Sequence, residues 1–175
     1  KPDAVIVASA GCGSTMKEYG ELFHDDPKYS EKAEKVGALT KDIHEFLVEL
    51  PLIPPKGHLD YRVTYQDPCH LANAQRITKA PRQLLRSIPG LELVEMPEST
   101  ICCGSAGTYS ITQKEMSRRL GERKAGNIAS TKAGIVATGN PGCGLQMTNA
   151  LRDAGQNVRV RYVVDLLDEA YSKER

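Results

Sequence analysis

The stretch Ile135-Val-Ala-Thr-Gly-Asn-Pro-Gly-Cys-Gly-Leu-Gln-Met147 joins a β-branched apolar run to a glycine-containing turn and then to the start of a helical pattern. A similar stretch, Ile6-Val-Ala-Ser-Ala-Gly-Cys-Gly-Ser-Thr-Met16, lies near the beginning of the chain and is shorter by two residues. A strand that enters a helix through a short turn is typical of α/β proteins. The repeat therefore predicts an α/β fold that contains a duplicated unit.

Short β-branched runs alternate with longer segments of helical period along the rest of the chain. The pattern predicts strands over residues 5–8, 61–65, 91–95, 135–138 and 159–163. It predicts helices over residues 14–23, capped by Ser14, over 28–50, with Gly37 as a candidate break, and over 71–87, 112–130, 145–153 and 164–173. This alternation predicts a layered, mainly parallel sheet of Rossmann-like order, with functional loops at the carboxyl ends of the strands.

Composition and charge exclude several classes of partner. The formal net charge is +1, and the Lys and Arg residues form no stripe suited to a phosphate backbone, so nucleic acid is not an expected partner. No apolar stretch approaches the roughly 18 residues that a membrane-spanning helix needs. We expect a folded, water-soluble chain, and its start at Lys1 without Met suggests a piece of a longer protein.

The chain has five cysteines, which are Cys12, Cys69, Cys102, Cys103 and Cys143. Because the number is odd and two are adjacent, a secreted disulfide scaffold is not expected, and a reducing compartment such as the cytoplasm is. Thiolates suit iron–sulfur clusters and zinc. Cys12, Cys69 and Cys143 directly follow predicted strands, so their loops are expected to meet at one sheet edge. The flanking Gly104, Gly142 and Gly144 are expected to let the backbone approach a cofactor.

Four segments resemble one known family: Asp67-Pro-Cys-His-Leu-Ala-Asn-Ala-Gln-Arg76, Cys102-Cys-Gly-Ser-Ala-Gly-Thr-Tyr109, Leu120-Gly-Glu-Arg-Lys124 and Ala137-Thr-Gly-Asn-Pro-Gly-Cys143. They resemble the cysteine-rich CCG-domain proteins, whose signature is a Cys, a Cys-Cys-Gly and a final Cys-x-x-Cys. The resemblance is greatest to the iron–sulfur subunit of glycolate oxidase and extends over nearly the whole chain.

The resemblance implies a ligand set and a division of the chain. Cys69, Cys102, Cys103 and Cys143 would be metal ligands, and Cys12 would belong to the end of a preceding CCG unit. That unit and a helical connector would cover residues 1–58, and a complete CCG unit would cover residues 59–175. Gln146 stands where the signature has its last Cys, so a 4Fe–4S cluster held by four thiolates is expected, with zinc, and Cys12 as its extra neighbour, as the alternative.

The resemblance also implies a function. The chain would be an electron-transfer domain of a glycolate oxidase or dehydrogenase complex, receiving electrons from an FAD subunit that oxidises glycolate to glyoxylate. It would not catalyse that oxidation itself, because no dinucleotide-binding fingerprint is present. Its partners would be the flavin subunit and a ferredoxin-like N-terminal part of its own subunit, in the cytoplasm or peripherally on the inner face of the cell membrane.

Three other interpretations remain open at this point. One is a zinc-binding assembly module, and another is a subunit of a lactate-oxidising or heterodisulfide-reductase-like complex. The third is an enzyme that uses Cys69 as nucleophile and His70 as base. The other histidines, which are His24, His44 and His58, lack ligand spacing and are predicted to lie on the surface.

Overall fold

A computed structural model describes residues 2–51 and 53–174. Within these ranges the strands are β1 (Val5–Val7), β2 (Thr40–Asp42), β3 (Arg62–Tyr65), β4 (Glu92–Glu95), β5 (Ile135–Thr138) and β6 (Arg159–Tyr162). The α-helices are α1 (Ala10–Lys17), α2 (Tyr19–Leu22), α3 (Ser30–Leu39), α4 (Ile43–Glu49), α5 (Lys79–Arg86), α6 (Tyr109–Thr112), α7 (Lys114–Ser130), α8 (Pro141–Asp153) and α9 (Val163–Ser172). A short π-helix, His70–Ala74, follows β3.

The strands form two parallel sheets. One contains four strands in the order β4-β3-β5-β6, and the other pairs β1 with β2. Val63 in β3 lies opposite Leu93 on one side and Ile135 on the other, and every pairing is parallel. Parallel neighbours require crossover connections, which α5 and α8 supply within the larger sheet. The predicted α/β class with a mainly parallel sheet is confirmed, and the carboxyl ends of the four strands share one edge.

Helices cover both faces of the larger sheet. Leu84 of α5 and Leu166 of α9 pack with Val63 on one face. Ile128 of α7 and Met147 of α8 pack with Val136 on the other face. Because both faces are covered, β5 is buried along its whole length, as its β-branched sequence favours. The second core also contains Cys103 and Cys143, so the packing of the sheet positions two of the predicted ligands.

The two halves of the chain share a succession of elements. In each, a strand runs into a helix that contains Gly-Cys-Gly, and a later parallel strand runs directly into another helix. These sets are β1, α1, β2 and α4 in the first half, and β5, α8, β6 and α9 in the second. The division into units at residues 1–58 and 59–175 stays a prediction.

Three local predictions were wrong. The helical stretch 28–50 is interrupted by a strand at Thr40–Asp42 and not at Gly37, because these residues pair with β1 as β2. The N-cap of α1 is Ser9, and Ser14 lies buried inside that helix. Residues 71–87 are divided between the π-helix and α5, with Arg76 at φ 58° in the connection between them. In the first case the pairing with β1 outweighs the local helical pattern.

No helix in the described ranges is both long and apolar enough to cross a membrane.

Candidate metal centre

Four cysteines lie beyond the carboxyl ends of neighbouring strands. Cys69 stands between β3 and the π-helix, Cys102 and Cys103 lie in the loop between β4 and α6, and Cys143 lies in the first turn of α8 after β5. Because β4, β3 and β5 are adjacent and parallel, these three segments meet at one edge. The expectation that Cys12, Cys69 and Cys143 converge is borne out for Cys69 and Cys143, and the loop after β4 adds Cys102 and Cys103.

The four thiols lie close enough to shift one another's ionisation. The pKa of Cys69 responds to Cys102, that of Cys102 to Cys103, and that of Cys143 to Cys103. Cys103 and Cys143 are buried, and Cys69 and Cys102 are half-buried. All are free thiols. The fold therefore gathers four sulfur donors from three segments into one continuous group.

The interactions among the thiols shift their pKa values in opposite directions. Donation from Cys103 and then from Cys69 lowers the pKa of Cys102 well below that of an ordinary thiol. Donation from Cys103 also lowers the pKa of Cys143. The pKa values of the other two thiols shift upward. The interaction with Cys102 raises the pKa of Cys69. The interactions with Cys102 and Cys143, together with burial, raise the pKa of Cys103. The group thus favours thiolates at Cys102 and Cys143, the form of cysteine that binds metals.

Gly104 directs its backbone toward this group. Its N–H donates a hydrogen bond to Cys102 Sγ at 3.3 Å. Its φ of 93° lies in the left-handed region, and a Cβ atom there would be 2.5 Å from the carbonyl oxygen of Ser117. Glycine is therefore required at this position for both conformation and space. The turn that results brings a backbone donor to the thiolate.

Gly142 and Gly144 permit close packing around Cys143. A Cβ atom on Gly142 would be 2.9 Å from Ser105 Oγ, and one on Gly144 would be 2.8 Å from the Tyr162 hydroxyl. These glycines therefore let α8 approach the Cys-Cys-Gly loop and β6. Their predicted contact with a cofactor stays a prediction.

Asn140 joins the two repeats at the site. Its Nδ2 donates to Cys143 Sγ at 3.4 Å, and its Oδ1 accepts from the N–H of Gly11 at 3.3 Å and from Ser9 Oγ at 3.4 Å. Asn140 is the N-cap of α8, yet its side chain does not cap that helix. It connects the start of α1 to a cysteine of the other repeat. Asn140-Pro141 has the local sequence of a turn, which gives no signal of this long-range role.

Lys124 places a buried cation beside the thiols. Only 1% of the residue is exposed, and its Nζ donates to the carbonyl oxygens of Glu98 at 2.9 Å and Ser99 at 3.2 Å. Burial lowers the pKa of Lys124, and the negative charges of Asp67, Cys102 and Cys143 oppose that effect. Lys124 lies in a charge-rich stretch of α7, and only its burial distinguishes it from the exposed charges of that helix.

Gln146 occupies the position of the last signature cysteine and points at α7. Its Nε2 donates to Ser117 Oγ at 3.2 Å, and that hydroxyl donates to the carbonyl oxygen of Gly104 at 2.8 Å. The missing thiol is thus replaced by a side chain that holds α8 against the Cys-Cys-Gly loop.

Cys12 is placed differently from the other four. It is exposed on α1, and the thiol hydrogen bonds in the described ranges do not include it. The first turn of α1 is nevertheless held at the site, by Asn140 and by Gln75, whose Nε2 donates to the carbonyl oxygen of Ala10 at 2.9 Å. Ligation by Cys12 stays a prediction.

A zinc site is the alternative to a cluster at these cysteines. In the part of the chain that the structure describes, no group of three or more His, Cys, Asp or Glu side chains is arranged to hold a metal ion. A structural zinc ion needs four donors at a single point. The alternative of a zinc site therefore receives no support.

Comparison with known proteins agrees with the pattern of cysteines. Residues 63–148 match the cysteine-rich CCG domain. The probable glycolate oxidase iron–sulfur subunit of Bacillus subtilis (strain 168) is 42% identical over 172 residues, which cover 96% of this chain and 39% of that protein. The glycolate oxidase iron–sulfur subunit of Escherichia coli (strain K12) is 33% identical, with 98% of this chain and 41% of that protein covered.

Another relative is matched over most of its own length. Lactate utilization protein A of Geobacillus kaustophilus (strain HTA426) is 31% identical over 167 residues, which cover 95% of this chain and 70% of that protein. This chain spans about two-fifths of the glycolate oxidase subunits that it matches. The cysteine segments, the parallel α/β fold and these similarities together show that the chain belongs to the cysteine-rich CCG-domain family.

Proposed function

We propose that this chain holds an iron–sulfur cluster through Cys69, Cys102, Cys103 and Cys143 and transfers electrons within a complex that oxidises a 2-hydroxy acid. The observation that carries the proposal is the convergence of these four thiols, from three segments, at one edge of the parallel sheet. The names of two relatives, which are iron–sulfur subunits of glycolate oxidase, support the choice of cofactor.

The residues present fit such a cluster. Four thiolates are the usual ligand set of a 4Fe–4S cluster, which distributes them over four irons rather than one ion. The backbone of Gly104 and the amide of Asn140 already donate to sulfur, and Lys124 supplies a buried positive charge. Hydrogen bonds to sulfur and net charge are the features by which a protein sets a cluster's potential. When bound, the cluster supplies one-electron transfer.

The substrate and partners are part of the proposal. Glycolate is favoured because the glycolate oxidase subunit of Bacillus subtilis is 42% identical, and lactate is the alternative because lactate utilization protein A is also similar. Electrons would come from an FAD subunit that carries out the oxidation, and a ferredoxin-like part of the same subunit would be the other partner. The complex would work in the cytoplasm, with any membrane attachment peripheral and made through the complex.

The test is metal and sulfide analysis of anaerobically purified protein, with a visible spectrum. We expect about four irons and four sulfides per chain and a broad absorption that dithionite bleaches. Cys102→Ser should lose the absorption, whereas Cys12→Ser, the matched control, should keep it. Stoichiometric zinc without sulfide, or no iron after anaerobic reconstitution, would contradict the proposal.

A further inference from the structure

A cavity of about 230 Å³ lies where the carboxyl ends of both sheets meet. Its walls come from the residues that follow or end β1, β2, β5 and β6. Ala8, Ile43 and Val164 make part of the wall apolar, and His44 and Tyr162 contribute polar groups. The cavity is smaller than the roughly 300–1,000 Å³ of sites for drug-sized ligands, so it suits a small molecule.

His44 is a buried polar side chain in the wall of this cavity. Only 1% of it is exposed, which contradicts the prediction that it lies on the surface. Its Nδ1 lies 2.6 Å from Asp42 Oδ1, which also accepts the backbone N–H of His44 at 2.9 Å. Asp42, itself fully buried, is the N-cap of α4 and forms a capping box with Glu45. The carboxylate therefore fixes the imidazole ring in one orientation.

The other ring nitrogen has no partner in the part of the chain that the structure describes. His44 Nε2 is buried and makes no hydrogen bond to any residue in the described ranges. The ring lies against Gly139, where a Cβ atom would be only 2.6 Å from His44 Cε1. Because Gly139 has no side chain, there is room for the His44 ring at this position. The Nε2 of that ring has no partner among the described residues. Buried polar groups in native proteins are nearly always paired, so this nitrogen calls for a group from outside the chain.

We propose that the cavity binds a small, neutral, mainly apolar molecule through a hydroxyl group that pairs with His44 Nε2. A hydroxyl suits this nitrogen in either protonation state, because it can donate to the lone pair of imidazole or accept from imidazolium. An anion is disfavoured, because Asp42 lies behind the ring and the exposed Asp165 lies at the cavity. This site is separate from the thiols and does not depend on the proposed iron–sulfur function.

Part of the cavity wall is nevertheless close in sequence to one of the four cysteines. Thr138, Gly139 and Pro141 line the cavity, and the same segment continues into Cys143. Thr138 Oγ1 donates to Gln66 Oε1 at 2.8 Å, so the Thr138 hydroxyl is already paired within the protein. His44 is therefore the polar anchor of the site, and the apolar wall provides the remaining contact.

The test uses phenol as the probe and toluene, which has the same shape without the hydroxyl, as its control. Binding is followed by NMR of ¹⁵N-labelled histidine and independently by calorimetry. We expect phenol to shift the His44 Nε2 resonance saturably and to bind about tenfold more tightly than toluene, as one hydrogen bond provides. Equal binding of the two probes, or no saturable shift with phenol, would show that an ordered water is the partner and would overturn the proposal.

Variants that fill the cavity without touching the Asp42–His44 pair separate this site from others. Ala8→Leu should abolish phenol binding while leaving the Nδ1 resonance of His44 unchanged. Val164→Phe fills the same space from α9. It serves as the second variant if Ala8→Leu does not fold. Phenol binding that survives in a folded filled variant would overturn the proposal.

Discussion

The side-chain amide of Asn140 donates a hydrogen bond to the Sγ of Cys143 while its oxygen accepts the backbone N–H of Gly11. One side chain thus connects the first turn of α1 with a cysteine in α8, and 129 residues separate Asn140 from Gly11. The cysteine group therefore depends on contacts between the two repeats as well as on the loops that carry the thiols.

Asn140→Asp should raise the pKa of Cys143. The new carboxylate keeps an acceptor for Gly11, but it replaces the N–H donor to Cys143 with a negative charge. We expect slower alkylation of Cys143 at neutral pH, measured by mass spectrometry on metal-free protein, because less thiolate is present. Asn157→Asp, at an exposed position, is the control for added charge. An unchanged alkylation rate in Asn140→Asp would show that the amide does not stabilise the thiolate.

Gly104→Ala should lower the free energy of unfolding, measured in urea, by about 3 kcal/mol. The added Cβ would be strained at a left-handed φ and would clash with the carbonyl oxygen of Ser117. The matched control is Gly107→Ala. Gly107 also has a positive φ, 58°, but nothing lies within 4 Å of its added Cβ, so we expect a loss of only about 1 kcal/mol. Equal losses in the two variants would mean that the contact with Ser117 relaxes without cost.

Arg82→Met should destabilise the protein by about 3–5 kcal/mol, because it leaves the buried carboxylate of Asp67 without its partner. Two hydrogen bonds of 2.7 Å join these side chains, and Asp67 is only 2% exposed. Arg86→Met is the control, because Arg86 is 61% exposed and reaches Glu95 at 3.4 Å, an ion pair worth about 0–1 kcal/mol. Since Asp67 precedes Cys69 by two residues, we also expect weaker metal retention in Arg82→Met.

The stability of the metal-free protein should depend on pH through the cysteine group. The pKa of Cys102 is lowered in the folded state, so its contribution is complete above the ordinary thiol pKa of about 8.5 and falls as the pH drops toward the folded value. The pKa of Cys69 is raised, so its contribution is present below about 8.5 and is lost as the pH rises further.

The difference in unfolding free energy between the native protein and Cys102→Ser should therefore be greatest near pH 8.5. Urea unfolding at a series of pH values measures it. Cys12→Ser, which removes a thiol outside the hydrogen-bonded group, is the comparison. A difference for Cys102→Ser that does not change with pH would contradict the assignment of a thiolate to Cys102.

Local sequence was sufficient for the larger sheet and insufficient for the smaller one. Strands β3 to β6 are β-branched or apolar runs bounded by turns, and their positions were predicted to within a residue or so. β2 was missed because Thr40-Lys-Asp42 carries no apolar pattern and becomes a strand only by pairing with β1. The convergence of four cysteines followed from the rule that parallel strands end at one edge.

By itself, the sequence determined the α/β class, the parallel order and the family, because these depend on periodicity and on cysteine segments that are read along the chain. Tertiary structure alone decided which groups surround the thiols: Asn140 and Lys124 reach them from distant elements, and Cys12 stays outside their hydrogen bonds. It also decided that His44 is buried beside Asp42 with a free nitrogen. Such contacts depend on packing between elements far apart in the chain, which local patterns do not encode.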